Sequence, residues 1–564
     1  MNVRGYVAPL LPGLSDYRGI GRTWRGDLVA GITVGIVALP LALAFGVSSG
    51  VGADVGLVTA IVAGIVAAVF GGSNVQVSGP TGAMVVVLGP IVATQGPEVV
   101  PLLSLMAGLF VLVAGVLKVG RVVSYIPWPV IEGFTLGIAV IIFVQQIPAA
   151  LGATPGPSTN TLVAAAQALP TVSWPETGWS LAIALGVAAI MLALPRWNRH
   201  IPASLVAIVV LTAVATLTHL PIARIGELPS SLPAPALPTV TLPLLAALAG
   251  PALTVAALAA IESLLSARVA ASISNTGPYD ADRELVGQGL ASVASGLFGG
   301  MPATGAIART AVNLRSGART RLAAVVHSLV LIAVVYLAAT AVSQIPLAAL
   351  AGVLMITATR MISRSTVRSV VSASRSDAAV FIGTAVVTVS FDLIIAVGIG
   401  IAAAAFFALR TLAASGGVHR EDIPGPSQPT DDEIALFRLD GALFFGAADR
   451  MIDEVNRIRN VTVVILRLSQ LQVLDATGAR VITELIQSLE RRNITVLIKG
   501  IQERHLLLAT RVGVISSLRH QNHLFADLPS AVEHARSHVR RAHEHDSPHS
   551  GADPGPGPDS AEKT

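Results

Sequence analysis

Along the first 413 residues the apolar positions gather into runs, each long enough to cross a hydrocarbon core of roughly 30 Å or paired as two half-length runs. Fourteen such segments can be marked, at 27–48, 54–71, 79–94, 101–117, 124–148, 178–195, 202–218, 246–268, 285–300, 303–316, 321–343, 345–359, 376–391 and 392–412. The short ones at 79–94 and 303–316 read as half-helices that enter the membrane only part way. After Arg410 the pattern changes. Ala413–Thr430 is rich in Gly, Pro and Ser and reads as a linker. From 431 to about 540 an α/β pattern takes over, with strand-like runs at 434–439, 461–466 and 494–498 and an amphipathic helix over 478–491. That is one small domain, followed by a His-, Pro-, Gly- and Asp-containing tail from 541 that reads as disordered, with histidines too irregular to argue a metal site.

One stretch breaks the apolar half most sharply, Phe298-Gly299-Gly300-Met301-Pro302-Ala303-Thr304-Gly305-Ala306-Ile307-Ala308-Arg309-Thr310-Ala311-Val312-Asn313-Leu314-Arg315. Small residues let backbone approach closely, Pro302 suits a helix start, and Arg309 sets a permanent positive charge about one turn into that helix. The combination suits an anion. It also has a counterpart: Phe70-Gly71-Gly72 is followed by Ser78-Gly79-Pro80-Thr81-Gly82-Ala83, so the Phe-Gly-Gly tripeptide recurs at an offset of 228 residues. Two Gly/Pro-interrupted segments at corresponding places in two halves point to a transporter's substrate site. Fourteen spans divide as seven plus seven, and an odd number per half inverts the second repeat relative to the first.

A mean hydropathy of +0.72, with 53 % hydrophobic and 12 % charged residues in 564, excludes a soluble enzyme and identifies a polytopic helical membrane protein. The formal net charge of +4 implies no nucleic-acid partner, and the absence of cysteine rules out disulfides and thiolate metal sites. No cleavable signal pattern precedes the first apolar run, which therefore stays as a span. Charge placement matters more than its sum. With the N-terminus inside, Lys118, Arg121, Arg196, Arg199, Arg268, Arg283, Arg315, Arg319, Arg321, Arg360, Arg364, Arg368 and Arg375 all fall on cytoplasmic loops. The opposite connections are nearly bare, and both termini are expected in the cytoplasm at the plasma (inner) membrane.

Glu262 lies inside the first span of the second half. A carboxylate there is costly unless paired, which makes it a candidate proton carrier or, alternatively, a member of a structural ion pair or hydrogen bond. Ser266, four residues on, shares its helix face. Arg309 stands open to three roles: attracting the substrate, countering Glu262, or anchoring its helix at the cytoplasmic loop. The half-helix starts at Thr81–Ala83 and Gly305–Ile307 offer free backbone amides and positive dipole ends, although Thr81 and Thr304 also suit ordinary capping. Pro40 is expected to kink or break the first span, and Phe45 beyond it to wall the site. Glu132, His327 and Asp392 read as residues near span ends or interfaces, without a site role.

Several motifs together resemble the bacterial SulP anion transporters: Leu39-Pro40…Ala44-Phe45, Gln76-Val77-Ser78-Gly79-Pro80-Thr81-Gly82-Ala83-Met84, the Glu262 segment, Asp282-Arg283-Glu284-Leu285…Gly287-Gln288-Gly289, and Gly299-Gly300-Met301-Pro302…Arg309-Thr310. Leu474-Asp475-Ala476-Thr477-Gly478, between a strand and a helix, is similar to the signature loop of a STAS domain. The resemblance implies a seven-plus-seven inverted repeat with core and gate subdomains, an elevator-like alternating access and a homodimer. It places the anion site at Phe45, Thr81, Gly82, Ala83, Gly305, Ala306, Ile307, Ala308 and Arg309, and ion coupling at Glu262 and Ser266. Where a sodium–bicarbonate member carries Asp and then Thr, this chain has Glu262 and Ser266, which favours a proton over sodium. Animal relatives carry Gln where Leu41 stands, which weakens a chloride-exchanger assignment. Ala476 occupies the position phosphorylated in stand-alone STAS proteins, so that control is not expected, leaving an interaction or dimerisation module.

The function expected is secondary transport of a small anion, sulfate, bicarbonate or a dicarboxylate, by proton symport, with no enzyme activity, cofactor or metal. Sodium–bicarbonate symport, nucleobase–proton symport and a membrane sensor with STAS output are the alternatives.

Overall fold

A computed structural model describes residues 8–546 apart from 18, 122–125, 157, 159, 198–200, 229–230, 275–278, 391–392, 416 and 444–459. The chain divides into two compact units, residues 1–404 and 405–564.

A helix occupies each of the fourteen apolar segments. In chain order these are α1 (Ile20–Ser48), α2 (Ala53–Phe70), α3 (Gly82–Gln95), α4 (Val100–Val116), α5 (Trp128–Gln145) with its short continuation α6 (Ile147–Leu151), then after the connecting α7 (Thr161–Ala168), α8 (Glu176–Trp197) and α9 (Ala203–Leu217). The second half runs α10 (Leu242–Ile273), α11 (Ala281–Leu297), α12 (Ile307–Arg315), α13 (Leu322–Ser343), α14 (Leu347–Met361), the loop helix α15 (Arg364–Ala373), α16 (Arg375–Ser390) and α17 (Leu393–Ser415). Among the described residues, eight helical stretches are long and apolar enough to cross a membrane. α3, α9 and a part of α17 are shorter apolar helices, and α12 is shorter still at nine residues.

The helices pack in two groups. α11 lies against α4 and α2, and α13 against α1 and α2, with α10 joining α4, α11 and α12. α16 lies against α5, and α14 against α8 and α5, with α9 against α8. The first group is held close by glycine: a Cβ at Gly108 of α4 would stand 2.7 Å from the Gly289 carbonyl of α11, so only small residues permit this approach. Two short strands complete the unit. β1 (Ser78–Gly79) pairs antiparallel with β2 (Thr304–Gly305), and each leads directly into a half-helix, α3 or α12.

Several expectations change. α1 does not break at Pro40 but continues to Ser48, because a proline in the membrane removes only one helix bond and neighbouring groups re-satisfy the backbone. Pro302 does not start a helix; extended backbone intervenes and α12 begins at Ile307. Arg283 and Arg321 are buried rather than free loop charges. Arg283 pairs with Asp16 at 2.7 Å, and Arg321 donates to the carbonyls of Ala68 and Gly71 at 3.0 and 2.7 Å. Asp392 lies outside the described residues.

In the second unit the strands are β3 (Gly417–Glu421), β4 (Ile434–Leu443), β5 (Val463–Arg467), β6 (Leu471–Leu474), β7 (Thr495–Lys499) and β8 (Leu524–Phe525), with helices α18 (Ala476–Arg491), α19 (Glu503–Val512) and α20 (Leu528–Asp546). The order is β3-β4-β5-β7-β8, parallel except for β3, with β6 beside β4. Alternation sets the faces. Ala435, Phe437, Leu439, Val464 and Leu466 meet α18, while Ile434, Leu436, Val463 and Ile465 meet Ala531, Val532, Ala535 and Val539 of α20. The segment read as a linker contains β3, whose pairing to the free edge of β4 overrides its Gly- and Pro-rich surroundings. The tail read as disordered from 541 continues α20 to Asp546, and the remainder lies outside the described residues.

Candidate functional site

The site is built where two broken segments cross. Ser78 pairs with Gly305 and Gly79 with Thr304, and the Ala306 amide extends the ladder to the Val77 carbonyl at 2.9 Å. α3 and α12 then start from this common ladder. Their first N–H groups have no partner within their own helices, and the helix dipoles add partial positive charge at these ends. Neither cap residue, Thr81 or Ala306, bonds its own helix through its side chain. Thr81 is therefore not an ordinary capping threonine. Its hydroxyl donates to Glu262 Oε2 at 2.8 Å.

α10 serves both half-helices from one face. Glu262 takes the Thr81 hydroxyl on the α3 side. Ser263 accepts from the Gly305 amide at 3.0 Å and lies 3.0 Å from the Thr304 hydroxyl, and the Ser266 hydroxyl lies 3.4 Å from that of Thr310. Thr310 in turn accepts from the Val77 amide at 3.0 Å. Ser263 and Ser266 are three apart and Glu262 and Ser266 four apart, so Ser266 sits between the other two and the three side chains spread over both half-helices.

Arg309 crosses the other way. It is 2 % exposed, and its Nη2 donates to the Pro80 carbonyl at 2.5 Å, immediately before α3. That excludes the role of a loop anchor. Its charge acts on Glu262, and its Nη1 has no hydrogen-bond partner among the described residues. Each half-helix thus receives a polar group from the other half of the chain.

Phe45 is buried on α1, its ring edge 3.5 Å from where a Cβ at Gly82 would stand, so it does border the α3 start. Ala83, Gly305 and Ala306 are buried at the crossing, whereas the Ile307 and Ala308 side chains are exposed and only their amides belong to the helix start. Near Phe45, from Ala44 onward, a cavity of about 560 Å³ opens between α1, α3, α5 and α14, lined by Ser48, Gly89, Gln145, Gln146 and Ala348.

Sequence reasoning missed several supporting residues. Ser263 is one, although its place beside Glu262 was a usable signal. Gln76 is another: it is buried, its amide has no partner among the described residues, and it would collide with any Cβ at Gly305. Glu284 accepts from the Gly72 and Ser73 amides at 2.8 and 3.0 Å, and Gln288 bridges Glu284 to the Ser78 hydroxyl, so the loop before β1 is shaped from α11. His327, read as a residue near a span end or interface, is fully buried in α13 beside Ser328, with Nε2 unpartnered among the described residues.

Residues 24–384 match the sulfate permease family and residues 426–531 match the STAS domain. The chain belongs to the sulfate permease family. It is 34 % identical to the putative sulfate transporter YvdB of Bacillus subtilis, across 88 % of this chain and 96 % of that one. It is 32 % identical to the bicarbonate transporter BicA of Synechocystis, across 85 % and 88 %. Among solved structures, the murine Solute Carrier 26 family member A9 anion transporter in its inward-facing state superposes with a TM-score of 0.80 over 95 % of both chains at 18 % identity, a likeness of fold. This sulfate permease family member is therefore a multi-pass helical membrane protein of an anion-transporter family with a C-terminal STAS domain.

Proposed function

We propose that this protein is a secondary active transporter of a small anion, sulfate, bicarbonate or a dicarboxylate, held between the starts of α3 and α12 and coupled to a proton on Glu262. The observation that carries the reading is the Thr81–Glu262 hydrogen bond, which ties the candidate coupling carboxylate to the start of one anion-facing helix. A change in the protonation of Glu262 then alters the donor geometry at the place where the anion sits. The β1–β2 ladder links both half-helices, so they would travel as one body with α10, which favours an elevator-like movement of fourteen spans arranged as two inverted repeats, about 27–218 and 246–412. In this reading both termini are cytoplasmic at the inner membrane, and the protein is a homodimer whose STAS domain serves contacts with its partner copy or another protein.

A second reading, sodium–bicarbonate symport, is favoured by the similarity to a bicarbonate transporter. Proteoliposomes given radiolabelled sulfate, bicarbonate, fumarate or uracil under proton or sodium gradients separate the two. An anion accumulated under an inward proton gradient supports the proposal; uptake of uracil alone by well-folded protein overturns it. Glu262→Gln should abolish gradient-driven accumulation while sparing anion binding. Proton-driven accumulation that persists in that variant removes Glu262 as the carrier.

A further inference from the structure

Three histidines of the second unit, none of them used by the proposed transport site, converge against the middle of α20. His534 and His538 are four residues apart on that helix and so share a face. His523 reaches them from the turn just before β8. The His534 and His538 Nε2 atoms are 3.2 Å apart, and one ligand nitrogen from each of the three rings lies within 4.8 Å of the others. The ring centroids are 4.9 to 5.6 Å apart.

We infer that His523, His534 and His538 form a binding site for a divalent transition-metal ion of the zinc class. Two observations stand together. First, two imidazole nitrogens bound to one tetrahedral ion at about 2.0–2.1 Å each would be separated by roughly 3.3 Å, close to what the His534–His538 pair already shows. Second, His523 is 1 % exposed, and its Nδ1 has no hydrogen-bond partner among the described residues. A buried imidazole nitrogen left unpaired is costly, and an ion would satisfy it. Three neutral nitrogens and no carboxylate suit Zn²⁺, Ni²⁺ or Cu²⁺ rather than Mg²⁺ or Ca²⁺. The fourth position stays open to water, with the exposed His520 ring 5.4 Å from that of His523.

The electrostatic setting is mixed. Burial first, then the neighbouring imidazoles and the Arg519 guanidinium, hold His523 at about 4; burial and Arg541 lead the same shift in His538. Arg519 and Arg541 repel a cation, so this site is weaker than one supported by a carboxylate. An ion here would join α20 to the turn leading into β8, at the far end of the sheet from β3.

The test uses full-length protein in detergent, carrying a tag without histidine and stripped with a chelator. Titration with Zn²⁺ should show one equivalent per chain, and Co²⁺ should give the visible bands of a tetrahedral nitrogen site. His538→Ala and, separately, His534→Gln should weaken binding by about 10–100-fold or more, whereas replacing His543, His545 and His549 by Ala should leave it within about twofold. In the wild-type protein Zn²⁺ should slow hydrogen exchange across Leu528–Asp546, a readout that needs no variant to fold. Absence of a stoichiometric site, binding unchanged in both helix variants, or binding lost with the tail histidines would each overturn the assignment.

Discussion

The two half-helices at the centre of the membrane unit occupy matching places in the chain, yet they are chemically unlike. α3 is a 14-residue apolar helix whose polar neighbour, Thr81, gives its hydroxyl away to Glu262. α12 is a nine-residue amphipathic helix that buries Arg309, Thr310 and Asn313. Arg309 stretches to the backbone before α3, and Asn313 donates to the Val75 carbonyl at 2.8 Å, on the approach to β1. The backbone pairs symmetrically through β1 and β2, but the buried arginine stands on the α12 side only. The backbone before the two helices is alike, while the polar side chains that hold it come unequally from α10 and α12.

The largest break in that asymmetry is Arg309→Met. It removes the buried charge and leaves the Pro80 carbonyl without its donor. A lost hydrogen bond to a charged group costs about 1.5–3 kcal/mol, so anion affinity should fall roughly 10–150-fold, read by isothermal titration with the transported anion. Arg309→Lys should recover part of this, since it keeps the charge but not the planar fork. An unchanged affinity in Arg309→Met would restore equality between the two half-helices.

Next comes the backbone. Gly305→Ala pushes a Cβ into the Gln76 amide and to 3.2 Å from the Ser263 Cα, whereas Gly82→Ala meets chiefly the movable tip of Ile142. Overpacking of this kind costs about 1–3 kcal/mol, so Gly305→Ala should lower the melting temperature and uptake more than Gly82→Ala. The reverse order in thermal melts of the detergent-solubilised protein would mean that α10 does not clamp the α12 side.

Thr81→Val tests the α3 side alone. It keeps the shape and removes one donor to Glu262, a loss of about 1 kcal/mol, so proton-driven uptake should fall roughly fivefold while equilibrium anion binding stays within twofold. Equal loss of both would make Thr81 a substrate contact instead of a coupling contact.

The smallest effect should come from outside the comparison. Arg536 donates twice to Asp431 at 2.8 Å, and this pairing holds the Asp431 carboxyl below the ordinary carboxylate range. A lowered carboxylate adds stability that is present above its unfolded pKa of about 4 and lost as the pH falls through the folded value. Asp431→Asn should therefore loosen α20 by about 0.5–1 kcal/mol at pH 7, seen as faster hydrogen exchange, with the gap to wild type closing as the pH falls below about 4. Uptake at pH 7 should be unaffected.

The STAS unit was largely legible because its signal is local. The strand-like run over 434–439 is a strand whose alternate residues meet α18 and α20, and Asp475 caps α18 by accepting from the Gly478 amide at 2.7 Å. Its errors were at edges. β3 needed the open side of β4 to become a strand, and the helix past 541 needed α20 already packed on the sheet. In the membrane unit, hydropathy located every long apolar helix but neither the connecting α7 nor the loop helix α15, and it said nothing of which face meets which, since lipid and protein interior reward the same residues. Glu262, Arg309 and the two Gly/Pro breaks were visible as exceptions to an apolar background. Gln76 and Glu284 stood only inside motifs, Ser263 beside Glu262 and His327 as an interface residue, all without a role, because such polar residues acquire meaning only from what lies opposite.

From sequence alone came the membrane class, the paired breaks at 70–83 and 298–315, the candidate charges Glu262 and Arg309 and the α/β unit at the end, each carried by composition or by spacing within a few turns. Tertiary structure decided the rest: that Thr81 serves Glu262 rather than its own helix, that Arg309 serves Pro80, and that three histidines meet against the middle of α20. Those contacts join residues up to 229 positions apart, as Pro80 and Arg309 are. A short-range pattern cannot encode them, since the partner of a polar group is set by the packing of whole helices and by the cost of leaving that group unpaired.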